Sequence, residues 1–191
     1  MECSTVNGPG ARAVIWVQGC SLGCQRCWNP QTHDSQQGFR LDVSEILEWF
    51  AKASRENPIE GLTISGGEPM QQAPAVLELL RRLKAAHPGM TIGLFSGYTE
   101  RELPKSLWRA IQAHLHFAVL GRYNARRRSR DPLVTSTNQV LHLYTPRYSM
   151  ADFAAQSVEV HIDDVGLTQV TGFPILGSPV LGWRASLHSP S

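Results

Sequence analysis

Three cysteines, Cys20, Cys24 and Cys27, fall within eight residues, directly after an apolar run that ends at Gly19. Secreted disulfide frameworks spread their cysteines over the fold, whereas adjacent thiols in a reducing compartment bind metal. Three thiolates on one glycine-flanked loop can wrap an iron–sulfur cluster corner by corner. A four-iron cluster held this way keeps one iron without a protein ligand. A zinc knuckle or a closed ferredoxin-type site would need a fourth ligand, for which Cys3 and His33 are the candidates. Zinc ligands usually come as two separated short-spaced pairs, and the sequence has no second pair. Cys3 stands apart and reads as a free thiol near the start of the chain.

The loop sits in an alternating pattern of strands and helices. Residues 12–18 are rich in β-branched and aromatic side chains and read as a strand. Asp42 or Ser44 can cap a helix over Val43 to Ser54, with Ile46, Leu47 and Phe50 on one face, stopped by Asn57-Pro58. Gly61 to Ser65 is a short strand running into Gly66-Gly67. Pro74 suits a first helical turn, and Val76, Leu77, Leu80 and Leu83 form an apolar stripe that ends at Pro88-Gly89. Met90 to Phe95 is a third strand, Lys105 to Ala113 a weaker helix and His116 to Leu120 a fourth strand. This alternation predicts an α/β fold with a parallel sheet, arranged as a partial (β/α) barrel. Val140 to Tyr144 reads as a further strand. Ser157 to Asp163 and Leu167 to Thr171 read as a hairpin, which gives a short, partly antiparallel C-terminal section. Trp16 and Trp49 read as core.

With 191 residues the chain is expected to form one domain with a single core. The core is expected over about 12–125, the C-terminal section over about 140–175 and a loosely held Gly/Ser/Pro-rich tail over 177–191. A net charge of +2 is too near neutral to argue for nucleic acid or an acidic membrane surface. No stretch approaches the roughly 20 apolar residues needed to span a bilayer, and Met1 to Gly10 lacks an apolar signal core. A cytoplasmic protein is expected. Residues 122–130 carry five arginines. They read either as a solvated basic loop or as a docking surface for an acidic partner, a phosphate or a carboxylate.

In this setting Cys20, Cys24, Cys27 and the adjoining Trp28 resemble the C-x3-C-x2-C signature of the radical S-adenosylmethionine (SAM) superfamily. The subgroup resembled is the glycyl-radical-enzyme activases, in particular the small activators of anaerobic ribonucleotide reductase. Asn7-Gly8-Pro9-Gly10-Ala11-Arg12 is similar to their lead-in to the first strand, and Trp28-Asn29-Pro30 to the segment after their cysteines. Ser65-Gly66-Gly67-Glu68-Pro69 resembles their SAM-binding glycine motif. Ser96-Gly97-Tyr98-Thr99 and Thr137-Asn138-Gln139 resemble two weaker motifs. The resemblance covers roughly residues 4 to 174.

It implies a [4Fe-4S] cluster on Cys20, Cys24 and Cys27, whose open iron is chelated by SAM. It also implies a SAM site drawn from Trp28, Ser65, Gly66, Gly67, Glu68, Ser96 and Tyr98. One-electron reduction would give methionine and a 5′-deoxyadenosyl radical that takes a hydrogen atom from the substrate. No acid–base pair is required. The implied partners are a glycyl radical enzyme as protein substrate and a reduced flavodoxin- or ferredoxin-type electron donor, with no membrane or nucleic acid. Four cysteines leave no room for auxiliary clusters with full ligand sets of their own. A small-molecule radical SAM enzyme of the deazapurine-synthase type, or a non-catalytic iron–sulfur or zinc protein, is the competing reading. Departures from the pattern stand at His116, Leu120 and Val140, places where SAM or substrate is expected to be handled.

Overall fold

The computed structural model describes residues 1–153, 157–162, 165–166 and 168–173; the expected loose tail lies outside them. Its centre is a five-stranded sheet. The strands are β1 (Arg12–Val17), β2 (Gly61–Gly66), β3 (Thr91–Ser96), β4 (Phe117–Leu120) and β5 (Val140–Leu143), hydrogen-bonded in that order. The first four are parallel, and β5 runs antiparallel to β4. Strand order never reverses, unlike in a doubly wound sheet.

Three helices fill the connections between the parallel strands: α1 (Val43–Glu56), α2 (Ala73–Ala86) and α3 (Lys105–Gln112). Asp42 caps α1, and its backbone N–H donates to the Glu45 carboxylate at 2.6 Å. The helix runs two residues past the expected Ser54. Pro58 restricts only the residue before it, so the chain turns extended at Asn57 and no earlier. All three helices pack on one face of the sheet. Phe50, Leu80, Leu83 and Ile111 meet Ala13, Leu62, Ile64, Ile92, Leu94, Ala118 and Leu120 there in the main core.

Alternate strand residues point the other way. On that second face Phe117 and Val119 pack with Leu133, Val134, Tyr148 and Phe153 in a smaller core. Arg12, also on this face, is wholly buried. Trp49 is half-buried against the main core, but Trp16 belongs to neither cluster. It stands half-buried on the second face beside Ser65, because the strand phase that turns Ala13, Ile15 and Val17 toward the helices turns Trp16 away from them.

The outer edge of β1 is covered. Ser4 and Arg12 exchange backbone hydrogen bonds at 2.8 Å each, and the Val14 N–H donates to the Met1 carbonyl at 2.9 Å. The C-terminal hairpin, β6 (Val158–Ile162) with β7 (Thr168–Gly172), is antiparallel with Val160 opposite Val170. It docks on this N-terminal segment. The Thr5 backbone N–H and hydroxyl both donate to the Glu159 carboxylate, at 2.7 and 2.6 Å, and the Asn7 amide donates to the Thr171 hydroxyl at 2.9 Å. Among the described residues no helix is long and apolar enough to cross a membrane.

Candidate functional site

In parallel sheets ligands collect where the strands end. Here the cysteine loop follows β1, the glycine turn follows β2, Ser96-Gly97-Tyr98 closes β3, and Gly121 with the arginine-rich segment follows β4. Hydrogen bonds stitch these segments together. The Gly67 N–H donates to the Val17 carbonyl at 2.8 Å and the Glu68 N–H to Gly19 at 2.9 Å. The Gly121 N–H is shared between the Ser96 and Tyr98 carbonyls, at 3.0 and 3.1 Å.

Both glycines are required by this stitching. Gly66 has φ +103°, and a Cβ there would lie 2.6 Å from the Val17 nitrogen. A Cβ on Gly67 would collide with the Gly19 carbonyl. The resemblance implies a turn whose residues bind SAM. The structure commits the Gly67 and Glu68 N–H groups to the end of β1 and the start of the cysteine loop, so the turn welds two loops as well as opening a surface.

Glu68 and Ser96 face inward. Glu68 is fully buried. Its carboxylate accepts from the Met70 N–H at 2.8 Å, the Ser96 hydroxyl at 2.8 Å and the Gly97 N–H at 2.7 Å. The Ser96 oxygen accepts in turn from the Tyr98 N–H at 3.1 Å. These two side chains therefore set the position of the loop after β3. Burial pushes the Glu68 carboxyl up, against the pull of those three hydrogen bonds and of Arg122. In Glu68→Gln one end of the side chain becomes a donor, and a buried donor from Met70, Ser96 or Gly97 loses its acceptor. The expected cost is about 1–3 kcal/mol in urea unfolding. The pH dependence also changes. Because the native carboxyl is raised, its stabilising protonated form is fully present below the ordinary glutamate range and is lost as pH rises through the raised value. That falling slope is expected in the wild type and absent in Glu68→Gln; equal slopes would show that Glu68 is not the group responsible.

The three cysteines are partly exposed and free of disulfides. Backbone bonds from Gly19 to Thr32 (2.8 Å) and from Cys20 to His33 (3.0 Å) close the base of their loop. Gln71, which no motif flagged, ties it to the sheet. Its amide donates to the Ser21 hydroxyl at 2.7 Å and the Tyr98 hydroxyl at 3.2 Å, while its oxygen accepts from the Ser21 N–H at 3.2 Å. The Gln71-Gln72 pair at the foot of an apolar helix was the only available signal. Burial pushes the Cys20 and Cys27 thiols up; ligation to a metal cluster reverses this by taking them as thiolates.

Cys20, Cys24 and Cys27, free thiols on one short loop, are the donor set that a [4Fe-4S] cluster takes as thiolates. The Asn29 N–H points at the Cys27 sulfur, at 3.4 Å, a contact of the kind that tunes such clusters. Cys3 packs against the main core, and burial first, then the Glu159 charge, pushes its thiol up. It lies beside the paired start of β1, away from the strand end that carries the cysteine loop.

Around the loop stands a ring of aromatic and basic side chains. The Arg128 guanidinium lies 4.8 Å from the Trp28 ring centre, Tyr123 lies 5.9 Å from Trp28, and Arg122 lies 5.5 Å over Tyr98. Among the described residues the buried Trp28 indole N–H has no hydrogen-bond partner. Arg122 is ion-paired to Glu102 at 2.6 Å. The Thr99 N–H and hydroxyl, with Arg122, hold the Glu102 carboxyl down at about 2.

Two of the three departures lie away from this site. His116 is at the start of β4, where its Nδ1 accepts from the Ile92 N–H at 3.0 Å and burial holds it neutral, down at about 4. Leu120 is at the right end of the strand but turns into the helix-side core. Val140, opposite Leu120 and exposed, does lie at the site end. The expectation that all three handle SAM or substrate is corrected for His116 and Leu120 by strand direction and side-chain phase.

A family model described as "4Fe-4S single cluster domain" matches residues 6–142. The anaerobic ribonucleoside-triphosphate reductase-activating protein of Vibrio cholerae is 35% identical over 147 residues, covering 73% of this chain and 92% of that protein. Its Escherichia coli K12 counterpart is 31% identical over 144 residues, covering 72% and 91%. The pyruvate formate-lyase-activating enzyme of Listeria monocytogenes is 34% identical over 100 residues, covering 51% and 40%. The chain therefore belongs to the radical SAM glycyl-radical activases of the 4Fe-4S single cluster family, enzymes that work with a [4Fe-4S] cluster and S-adenosylmethionine.

Proposed function

We propose that this enzyme activates a glycyl radical enzyme by removing one hydrogen atom from a backbone glycine of that partner. The observation that carries the reading is the junction of the cysteine loop with the glycine turn and the Ser96–Tyr98 loop at one end of the sheet. Cys20, Cys24 and Cys27 are assigned as cluster ligands. The backbone of Ser65, Gly66 and Gly67, with Trp28 and Tyr98, is assigned to SAM, and Glu68 and Ser96 hold the Tyr98 loop beside that backbone. With the Gly67 and Glu68 N–H groups committed, an incoming ammonium group would meet carbonyls, which suits the amino group of the SAM methionine.

Held by Cys20, Cys24 and Cys27, a reduced cluster would supply the single electron that cleaves bound SAM to methionine and a 5′-deoxyadenosyl radical. Transfer of the glycine Cα hydrogen to that radical leaves 5′-deoxyadenosine and a glycyl radical on the partner. The protein's part is to position the two reactants and exclude water. The four parallel strands in unbroken order are read as an open arc of a (β/α) barrel, whose inner face carries Trp16 and Ser65 toward this end. A reduced flavodoxin- or ferredoxin-type donor and a reducing cytoplasmic setting belong to the same reading, with the chain acting as one domain.

The test uses enzyme reconstituted anaerobically with iron and sulfide, reduced with dithionite and mixed with SAM. The substrate is an anaerobic ribonucleoside-triphosphate reductase carrying deuterated glycine. Deuterium in 5′-deoxyadenosine, together with a carbon-centred radical signal on the reductase, is the expected result. Nucleoside without deuterium and without a radical on either this reductase or pyruvate formate-lyase would sink the activase reading.

A further inference from the structure

The arginines of residues 122–130 are not a loose charge run. The segment folds back on 134–139 as an ordered strap. The Thr137 N–H donates to the Arg127 carbonyl at 2.7 Å and the Ser129 N–H to Thr135 at 3.1 Å, and Arg128 bridges Ser136. Thr137-Asn138-Gln139, a motif without an evident chemical role, fastens the start of the strap. The Asn138 amide donates to the Arg122 carbonyl at 2.7 Å and the Gln139 amide to the Gly121 carbonyl at 3.0 Å. The Gln139 oxygen gathers the backbone N–H and hydroxyl groups of both Thr135 and Ser136. Arg122 and Arg128 then pin the strap to Tyr98 and Trp28 at the rim of the cysteine loop.

Pinning leaves three cations facing outward. Arg126, Arg127 and Arg130 are exposed, and among the described residues none of the three is ion-paired. Of the three, Arg127 makes a side-chain hydrogen bond to a described residue, from Nε to the Thr137 hydroxyl at 3.3 Å. A chain with a net charge of only +2 thus concentrates positive potential at the mouth of its own site. Guanidinium groups recognise carboxylates through paired N–H donors. We propose that this strap is a docking surface for an acidic segment of the protein substrate, with Arg126, Arg127 and Arg130 meeting its carboxylates beside the cysteine loop. The proposal rests on the reading that the substrate is a protein. Nucleic acid fits less well. Single strands need free aromatic platforms along a basic groove, and here guanidinium groups lie over the Trp28 and Tyr98 rings, while Glu102 interrupts the basic surface.

The test measures fluorescence anisotropy of labelled glycine-centred peptides on the cluster-loaded enzyme with SAM. The peptides are flanked by glutamates, by glutamines or by lysines. The glutamate peptide is expected to bind about tenfold tighter than the glutamine peptide, the size that three exposed ion pairs support, and to weaken as salt rises. Arg126→Gln/Arg127→Gln/Arg130→Gln is expected to lose this preference while keeping cluster content and partner-free 5′-deoxyadenosine formation. The single change Arg130→Glu, which leaves the strap's ladder intact, is expected to shift preference toward the lysine peptide. Equal binding of glutamate and glutamine peptides, or an unchanged preference in both variants, would overturn the proposal. So would a single-stranded oligonucleotide that displaces the glutamate peptide and binds tighter. Failure of radical transfer to any partner glycine, with the peptide preference intact, would sink the activase reading alone. Transfer by the triple variant at the wild-type partner KM would sink the docking surface alone.

Discussion

Cys24→Ala enzyme, reconstituted and reduced alongside the wild type, is expected to release no 5′-deoxyadenosine above background and to retain less iron and sulfide. Cys24 lies at the middle of the loop, between Gly23 (φ +63°) and Arg26 (φ +56°), and its carbonyl accepts the Cys27 N–H at 3.2 Å. The alanine variant keeps that backbone bond, so the loop can hold its course while losing one corner of the site. Two thiolates cannot hold a cubane and also leave a single iron open for SAM. The loss should exceed the roughly 10–100-fold that follows from removing a group that merely supports a metal ligand. Iron and sulfide analysis read beside nucleoside yield separates the outcomes. Full four-iron content with wild-type nucleoside formation would remove Cys24 from the ligand set and bring His33, near the loop's base, back into question.

Arg12→Met is expected to lower the free energy of unfolding by about 3–5 kcal/mol, with little local change at the cysteine loop. Arg12 is wholly buried beneath the opposite end of the sheet, and all its hydrogen-bond acceptors are neutral. Nε donates to the Thr63 hydroxyl at 2.8 Å. Nη1 reaches the Thr91 hydroxyl at 2.8 Å and the Pro9 carbonyl at 3.2 Å, and Nη2 reaches the Leu62 and Thr91 carbonyls at 2.9 and 3.1 Å. The guanidinium also lies over the Phe117 ring, 5.1 Å from its centre. One side chain thus joins the lead-in segment, β2, β3 and β4. Methionine fills the volume but orphans several buried acceptors at about 1–3 kcal/mol each, partly offset by no longer burying a charge. Chemical denaturation of the two proteins at one pH measures the difference. A loss under about 1 kcal/mol would mean that water or a local shift replaces these bonds.

The strand and helix phases were legible because burial repeats with a short period. Val76, Leu77, Leu80 and Leu83 announce a helix stripe, and all four are buried. The thiol loop and the glycine turn were legible because few residue types can do what they do. What the sequence hid were roles decided by distant partners. Arg12 stands in the sequence only as the end of a lead-in motif, and its structural role shows once Thr63 and Thr91, 51 and 79 positions away, are placed around it. Glu68 looks like a ligand-facing acid until Ser96 and Gly97 arrive from the next strand. The arginines of 122–130 divided between two functions, anchoring and exposure, and composition alone cannot apportion them.

The contact between the two distant ends of the described chain bears on how the protein assembles. Each parallel strand meets the one just made, so the sheet can grow unit by unit with short loop closures. The bonds from Thr5 to Glu159 and from Asn7 to Thr171 span 154 and 164 positions and carry the largest closure entropy. On that ground they are expected to form after the sheet and to open before it. Native-state hydrogen exchange is therefore expected to show the outermost layer over β1 as a separate, weaker cooperative unit, its amide protons exchanging while the helix-side core stays shut.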